Sequence, residues 1–318
     1  MNNYWKGRSV LVTGGTGFIG RHLVKRLHEL QASVVVISSS KKTLESAKQI
    51  PVINGDLTDK DIVSKIVKPA DVIMHLAALD GDSEFKIKYS KEIFYQNSQM
   101  VLHILNACKD KNKKILFMSS VEVYPKRAQS PITENEAMFT DSDSQISGYV
   151  WSKRLTEIAA NVFAHNQKLQ VSIARCGNIY GPGDMPSSKR KRVIPTFINN
   201  ALRNRDIHIV GNGKQRYSFL YVKDLVNALL SLTVNYAVCD PINLAGSEIV
   251  TLKQLAKKVI KLTNSKSNII LADPKTSIPD RIISNKKARE KITFREEYDL
   301  EKGLIETITF LQKKIQPS

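Results

Sequence analysis

Cysteine is scarce: the 318 residues hold three, Cys108, Cys176 and Cys239, widely spaced and in apolar surroundings. An odd number at such spacing excludes a disulfide scaffold and predicts reduced core thiols, the state of a cytoplasmic protein. Long apolar runs are missing as well. No stretch approaches the roughly 18 uncharged apolar residues that cross a bilayer, and residues 1–8 lack the apolar core of a secretory signal. Negative charge is short, with 30 Asp and Glu against 48 Lys and Arg, a net charge of +18. Such an excess attracts phosphates without sequence-specific contacts. The basic clusters at residues 109–114 and 189–192 are nevertheless brief, and no zinc spacing, helix-turn-helix pattern or interleaved aromatics accompany them. Most of the charge therefore reads as solvated surface, with a share left to guide an anionic substrate. RNA binding stays as the alternative of a different class, and no metal is expected.

What is present is a strand, a glycine turn and a helix. Ser9-Val10-Leu11-Val12-Thr13 reads as a buried strand, and residues 18–30 repeat apolar side chains at Ile19, Leu23, Val24, Leu27 and Leu30 with a helical period. Between them lies Gly14-Gly15-Thr16-Gly17-Phe18-Ile19-Gly20. This order puts backbone N–H groups and a helix dipole where a pyrophosphate is stabilised. Gly14 is expected to make the tight turn, Gly17 to admit the phosphates and Gly20 to let helix and strand pack.

Further strands are predicted at residues 33–37, 52–53, 71–76, 114–118 and 171–174, with helices between them that include 92–108 and 149–164. That alternation implies an α/β fold, a Rossmann doubly wound parallel sheet. Past Arg175 the alternation weakens; Gly181-Pro182-Gly183 and Gly211-Asn212-Gly213 mark loops, and amphipathic patterns return at 222–232 and 252–262. The expected division is a cofactor-binding domain over 1–175 and a smaller, mainly substrate-binding lobe over 176–318, with some segments returning to the sheet. Neither repeats nor a low-complexity linker occur.

Tyr149 and Lys153 stand four residues apart, on one face of a predicted helix. A Tyr at its ordinary pKa of about 10 is a poor base at neutral pH, and a nearby ammonium with a bound pyridinium would lower that value. The pair downstream of a dinucleotide fold points to hydride chemistry on an alcohol or ketone.

Together these segments resemble the extended short-chain dehydrogenase/reductases that modify nucleotide-diphosphate sugars. The likeness runs almost end to end, through the glycine loop, Gly55-Asp56-Leu57, His75-Leu76-Ala77-Ala78, Ser119-Ser120 before Val123-Tyr124, Tyr149-x-x-x-Lys153, Arg175-x-x-Asn178-x-Tyr180-Gly181-Pro182-Gly183 and Arg216 before Tyr221-Val222-Lys223-Asp224. The resemblance implies that Ser120 hydrogen-bonds the reacting hydroxyl. It also implies that Asp56 and Leu57 flank the adenine, and that Leu76, Ala77 and Ala78 line the cofactor channel. His75 is left open between channel and core. Asn178, Arg216 and Arg281 fall where the family holds the nucleotide diphosphate, a role suited to a planar guanidinium. A homodimer is implied as well.

Residues 119–126 and Val193-Ile194-Pro195 look most like GDP-fucose synthases, which carry a Cys where this chain has Glu122 and a His where it has Arg192. Both epimerising acid/base groups are thus replaced, while Ser120, Tyr149 and Lys153 remain. Glu122 is also similar to the carboxylate of sugar 4,6-dehydratases and decarboxylases. Val121 supplies no partner acid for elimination, and Arg192 is expected to hold Glu122 ionised. At the end of the second strand Ser38-Ser39-Ser40-Lys41-Lys42 replaces the carboxylate that NAD-preferring folds set on the ribose. Ser38, Ser39 and Lys41 would welcome a 2′-phosphate, so NADP is expected and NAD is the alternative. The resulting expectation is an oxidoreductase acting at C4 of a nucleotide-diphosphate sugar.

Overall fold

The computed structural model describes residues 2–39, 49–108, 112–126, 128–136, 147–186 and 192–315. Lys41 and most of the two basic clusters lie outside them. The strands are β1 (Ser9–Thr13), β2 (Ser33–Ser38), β3 (Val52–Asn54), β4 (Val72–His75), β5 (Lys114–Ser120), β6 (Gln170–Cys176), β7 (Asn178–Tyr180), β8 (Ile207–Val210), β9 (Arg216–Tyr221), β10 (Ile242–Leu244), β11 (Ile249–Thr251) and β12 (Ile269–Ala272). Seven form one sheet in the order β10-β6-β5-β4-β1-β2-β3, every pair parallel. The chain leaves β1 towards β2 on one side and later returns to place β4 on the other. This reversal opens a crevice at the carboxyl ends of the strands, where such sheets bind ligands.

Side-chain alternation along the central strands feeds two cores. Val10 and Val12 join Leu23, Val24 and Leu27 of helix Phe18–Glu29, and Leu225 and Leu229 of helix Val222–Asn235, on one face. Leu11, Ile73, Ile115 and Phe117 pack on the other against helices Lys60–Val67, Ser90–Ala107 and Gly148–Gln167. Each such side chain, fully buried, contributes about 1.5–3 kcal/mol relative to exposure. β4 is buried at all four positions, as a parallel strand covered on both faces must be.

The six expected strands and the helical patterns are present with ends shifted by a few residues. Between residues 176 and 318 the structure is more regular than the sequence predicts. β7, β9 and β11 make a three-stranded sheet, β8 and β12 a two-stranded one, and β10 returns to β6 as the seventh strand of the main sheet. Helix Leu300–Ile315 sends Leu300, Leu304, Ile308 and Leu311 into a third core shared with Ile194, Phe197, Ile209 and Leu255.

Candidate active site

The glycine loop is dictated by space. Gly14 has φ +68°, and a Cβ there would stand 2.8 Å from the Ala77 nitrogen. A Cβ on Gly20 would collide with the Gly14 carbonyl oxygen, so only glycine lets helix Phe18–Glu29 start so close to β1. Gly17 caps that helix without a side chain across its first N–H groups. Beside the loop runs a cavity of about 440 Å³, in the usual range for small-molecule and cofactor sites. Gly14, Gly17, Phe18, Ile19 and Gly20 form one wall; Ser38 and Ser39 follow β2, Asp56 and Leu57 follow β3, and Leu76, Ala77 and Ala78 follow β4. Tyr149 and Lys153 line the same cavity. A glycine cradle, a helix N-terminus and two serines in one crevice fit a dinucleotide. Asp56 also accepts from Thr58 N–H at 2.9 Å, so it shapes its own turn.

Tyr149 and Lys153 enter from helix Gly148–Gln167, whose first turn is tied down by Gly148 N–H donating to Ser90 Oγ at 2.7 Å. Ser120, the last residue of β5, hydrogen-bonds the Tyr149 side chain. Lys153 Nζ donates to the Met118 carbonyl at 2.6 Å and lies 5.6 Å from the Tyr149 ring centroid. Burial raises the Tyr149 pKa well above its ordinary value; Asp80 and Glu122 add to the rise and the Ser120 hydrogen bond opposes it. Burial lowers that of Lys153. The phenol accordingly keeps its proton in the free protein, poised as an acid, and needs added positive charge to act as a base. His75 is a core residue. Its Nδ1 is 2.8 Å from Thr13 Oγ1, and burial, aided by Lys153, pushes its pKa down to about 3, leaving a neutral imidazole.

Glu122 sits on the single turn Val121–Val123 after β5, its backbone N–H donating to Ser120 Oγ at 3.1 Å. Its carboxylate is held by Lys86, with Nζ to Oε1 2.7 Å, and not by Arg192. Arg192 pairs instead with the buried Asp184 at 3.0 Å, lies 5.6 Å over the Phe18 ring and lines the dinucleotide cavity. The reason is local: Arg192 is the N-cap residue of helix Val193–Leu202, and its guanidinium is taken up by Asp184 and the Phe18 ring. Lys86 escapes sequence reasoning because it stands in a polar stretch, Asp82-Ser83-Glu84-Phe85-Lys86, that reads as surface.

A model of the NAD-dependent epimerase/dehydratase family matches residues 10–245. The chain belongs to that family. Its relatives include a dTDP-4-dehydro-6-deoxy-D-allose reductase of Streptomyces bikiniensis, 34% identical over 95% of this chain and 96% of the relative. Another is a UDP-N-acetyl-alpha-D-glucosaminuronate decarboxylase of Bacillus cytotoxicus, 32% identical over 95% of this chain and 97% of the relative. Among solved structures, a UDP-N-acetylglucosamine 4-epimerase of Methanobrevibacter ruminantium, in complex with UDP-N-acetylmuramic acid, superposes with a TM-score of 0.88. It is 28% identical and covers 98% of this chain and 100% of that one. The likeness to GDP-fucose synthases is a looser one.

In this epimerase/dehydratase-family protein the remaining expected residues are not among those that line the cavity. Arg281 donates to the carbonyls of Val121 at 2.8 Å and Tyr124 at 3.4 Å, clamping the turn that carries Glu122. Arg281 N–H donates to the Arg216 carbonyl at 3.1 Å, and Arg216 is paired with Asp280 at 2.7 Å while half-exposed. Asn178 donates to the Ser218 carbonyl at 3.1 Å, tying β7 to β9. Arg175 is structural: it forms a fully buried pair with Glu157 at 2.7 Å and reaches the Tyr124 hydroxyl at 2.8 Å.

Proposed function

We propose that the protein is an NAD(P)-dependent oxidoreductase acting at C4 of a nucleotide-diphosphate hexose, either reducing a 4-keto sugar or epimerising C4 through the ketone. The observation that carries this reading is that Tyr149, beside Ser120, and Lys153 line the same cavity as the glycine loop. The nicotinamide supplies or accepts hydride when bound. Tyr149 gives its proton to the C4 oxygen as the ketone is reduced, or takes it in the reverse direction; Ser120 orients that oxygen. Lys153 holds the ribose and provides positive charge beside the ring. Asn178, Arg216 and Arg281 are assigned to the nucleotide diphosphate and Arg192 to the substrate, with 1–175 mainly the cofactor unit and 176–318 mainly the substrate unit. The 34% identical relative is named for the reduction of a 4-dehydro sugar, which favours the reductase direction.

NADP is the proposed cofactor, because Ser38 and Ser39 line the cavity at the end of β2, where no carboxylate stands. Three free cysteines suit a cytoplasmic setting. We also propose a homodimer. Phe94 and Tyr95 on helix Ser90–Ala107, and Ile158 and Val162 on helix Gly148–Gln167, are 39%, 61%, 46% and 50% exposed. Apolar exposure of this kind on two neighbouring helices fits a partner helix pair.

Glu122 favours a second reading, decarboxylation or dehydration, since a carboxylate stands one turn past Ser120 and a relative is a uronate decarboxylase. Mass spectrometry of products separates the readings. Incubation of nucleotide 4-keto sugars with NADPH, and of nucleotide hexoses and uronates with NADP⁺ or NAD⁺, is expected to yield gain of two hydrogens from a ketone or an isomer of unchanged mass from a hexose. Loss of water or carbon dioxide overturns the C4-reduction reading. RNA affinity at physiological salt without thermal stabilisation by any nucleotide sugar overturns the enzyme reading altogether.

A further inference from the structure

Lys86 has no part in the reaction proposed above, yet it stands between Tyr149 and Glu122. It is carried on the short helix Ser83–Lys88 that follows the β4 loop. Its ammonium lies 4.0 Å from the centroid of the Tyr149 ring, 2.7 Å from Glu122 Oε1 and 3.4 Å from Asp80 Oδ1. Its side chain is 12% exposed, against 45% for Glu122. A lysine so enclosed is costly unless paired, and this one has two carboxylates and an aromatic face, the arrangement in which a cation is held without bulk water. Exposed surface ion pairs contribute little; the ring and the burial set this one apart.

We infer that Lys86 is a positioning residue of the proposed C4 hydride reaction: it cancels the two carboxylates facing the Tyr149 phenol and holds Glu122 at a fixed place beside Ser120. The inference rests on the function proposed above. Among the described residues the charged and titratable groups around Tyr149 are Asp80 after β4, Lys86 on helix Ser83–Lys88, Glu122 after β5, Lys153 on helix Gly148–Gln167 and Cys176 at the end of β6. Arg281 acts electrostatically on Glu122 from the far side, and His75 is neutral behind Lys153. Asp80 and Glu122 both favour the protonated phenol. With Lys86 in place their combined negative charge is partly neutralised within a few ångströms of the ring. Without it, Lys153 alone opposes two carboxylates and burial, and the phenolate required for alcohol oxidation becomes harder to reach. Lys86 also helps lower the Lys153 pKa, which couples the two ammonium groups across the tyrosine.

The test reads the tyrosine directly. Ultraviolet difference titration of the NADP⁺ complex, protein minus its Tyr149→Phe variant, isolates the Tyr149 phenolate without needing a substrate. Lys86→Met is expected to raise its apparent pKa by about one unit or more, the usual effect of losing an opposite charge at this range. The alkaline limb of alcohol oxidation should move in the same direction. Lys86→Arg should stay near the wild type, and Lys86→Met combined with Glu122→Gln should recover much of the shift, since the stranded carboxylate is gone. Should Lys86→Met lose its fold, Lys86→Gln takes its place. A Lys86 variant, folded and able to bind NADP⁺, whose tyrosine titrates as in the wild type overturns the inference, as does a double variant with no recovery. If the wild type turns over no nucleotide sugar while the titration shift is present, the function proposed above fails and the electrostatic role of Lys86 stands.

Discussion

In the proposed reaction Tyr149 is the residue that moves the proton, and its pH behaviour has a definite sign. It is an acid whose pKa burial has raised, so the protonated form extends upward through neutral pH. Ketone reduction needs that form and is expected to hold steady from mildly acidic to mildly alkaline pH, falling only beyond the raised value. Alcohol oxidation needs the phenolate and should climb with pH, helped by the pyridinium charge of the oxidised cofactor. Tyr149→Phe should lower turnover by roughly 10²-fold or more while leaving NADPH affinity nearly unchanged; steady-state kinetics beside a fluorescence titration of NADPH would check both. Normal turnover would show that another group moves the proton. The residues within this reach were legible because the chemistry fixes short intervals: four residues from Tyr149 to Lys153, and a glycine wherever a Cβ would strike backbone. Lys86 was not, since its partners Glu122 and Tyr149 are distant in sequence and meet it only through the fold. Arg192 differs for the complementary reason: likeness to another enzyme's motif implies nearness to Glu122, whereas its own helix start and Asp184 fix it against Phe18.

Among the elements, β1, β2 and β4 to β6 could be read because buried parallel strands are near-continuous apolar runs, and the three-residue, largely exposed β3 only from its Val52-Ile53 pair within the alternation. β7, β10 and β11 have three residues each, too short for any period to register, and they exist because neighbouring strands and helices hold them. The joint between β6 and helix Gly148–Gln167 shows a different kind of restraint. Arg175 and Glu157 are a bidentate pair, 4% and 5% exposed, and Ser119 Oγ donates to Glu157 at 2.6 Å, so the carboxylate links β5, β6 and the catalytic helix. Glu157→Gln leaves a buried guanidinium without its counter-charge and should destabilise the fold by about 3–5 kcal/mol. The change would be read as a lower denaturant midpoint at unchanged slope. Replacing both partners with apolar residues, Arg175→Met and Glu157→Leu, should recover much of that loss. A loss well below 1 kcal/mol from Glu157→Gln would mean that water enters the joint.

For the whole molecule, the composition bounded the class correctly but could not show how the two halves of the chain are joined. Assembly is testable at this scale: sedimentation should give a mass near two chains, and Ile158→Asp with Val162→Lys should bring it to one while the cofactor cavity still binds NADPH. Unchanged mass in that variant would move the interface elsewhere. The seventh strand carries a consequence for how the molecule comes into being. β10 completes the sheet beside β6, and Leu244 lies 68 residues after Cys176. Helix Val222–Asn235, from the same later stretch, covers one face of that sheet. During synthesis at about 5–20 residues per second, the cofactor-binding segment therefore waits several seconds with β6 as a bare edge, an aggregation-prone state, until its missing strand arrives. A gene truncated after residue 175 would leave that edge open permanently, so residues 1–175 are not a unit that can be cut free.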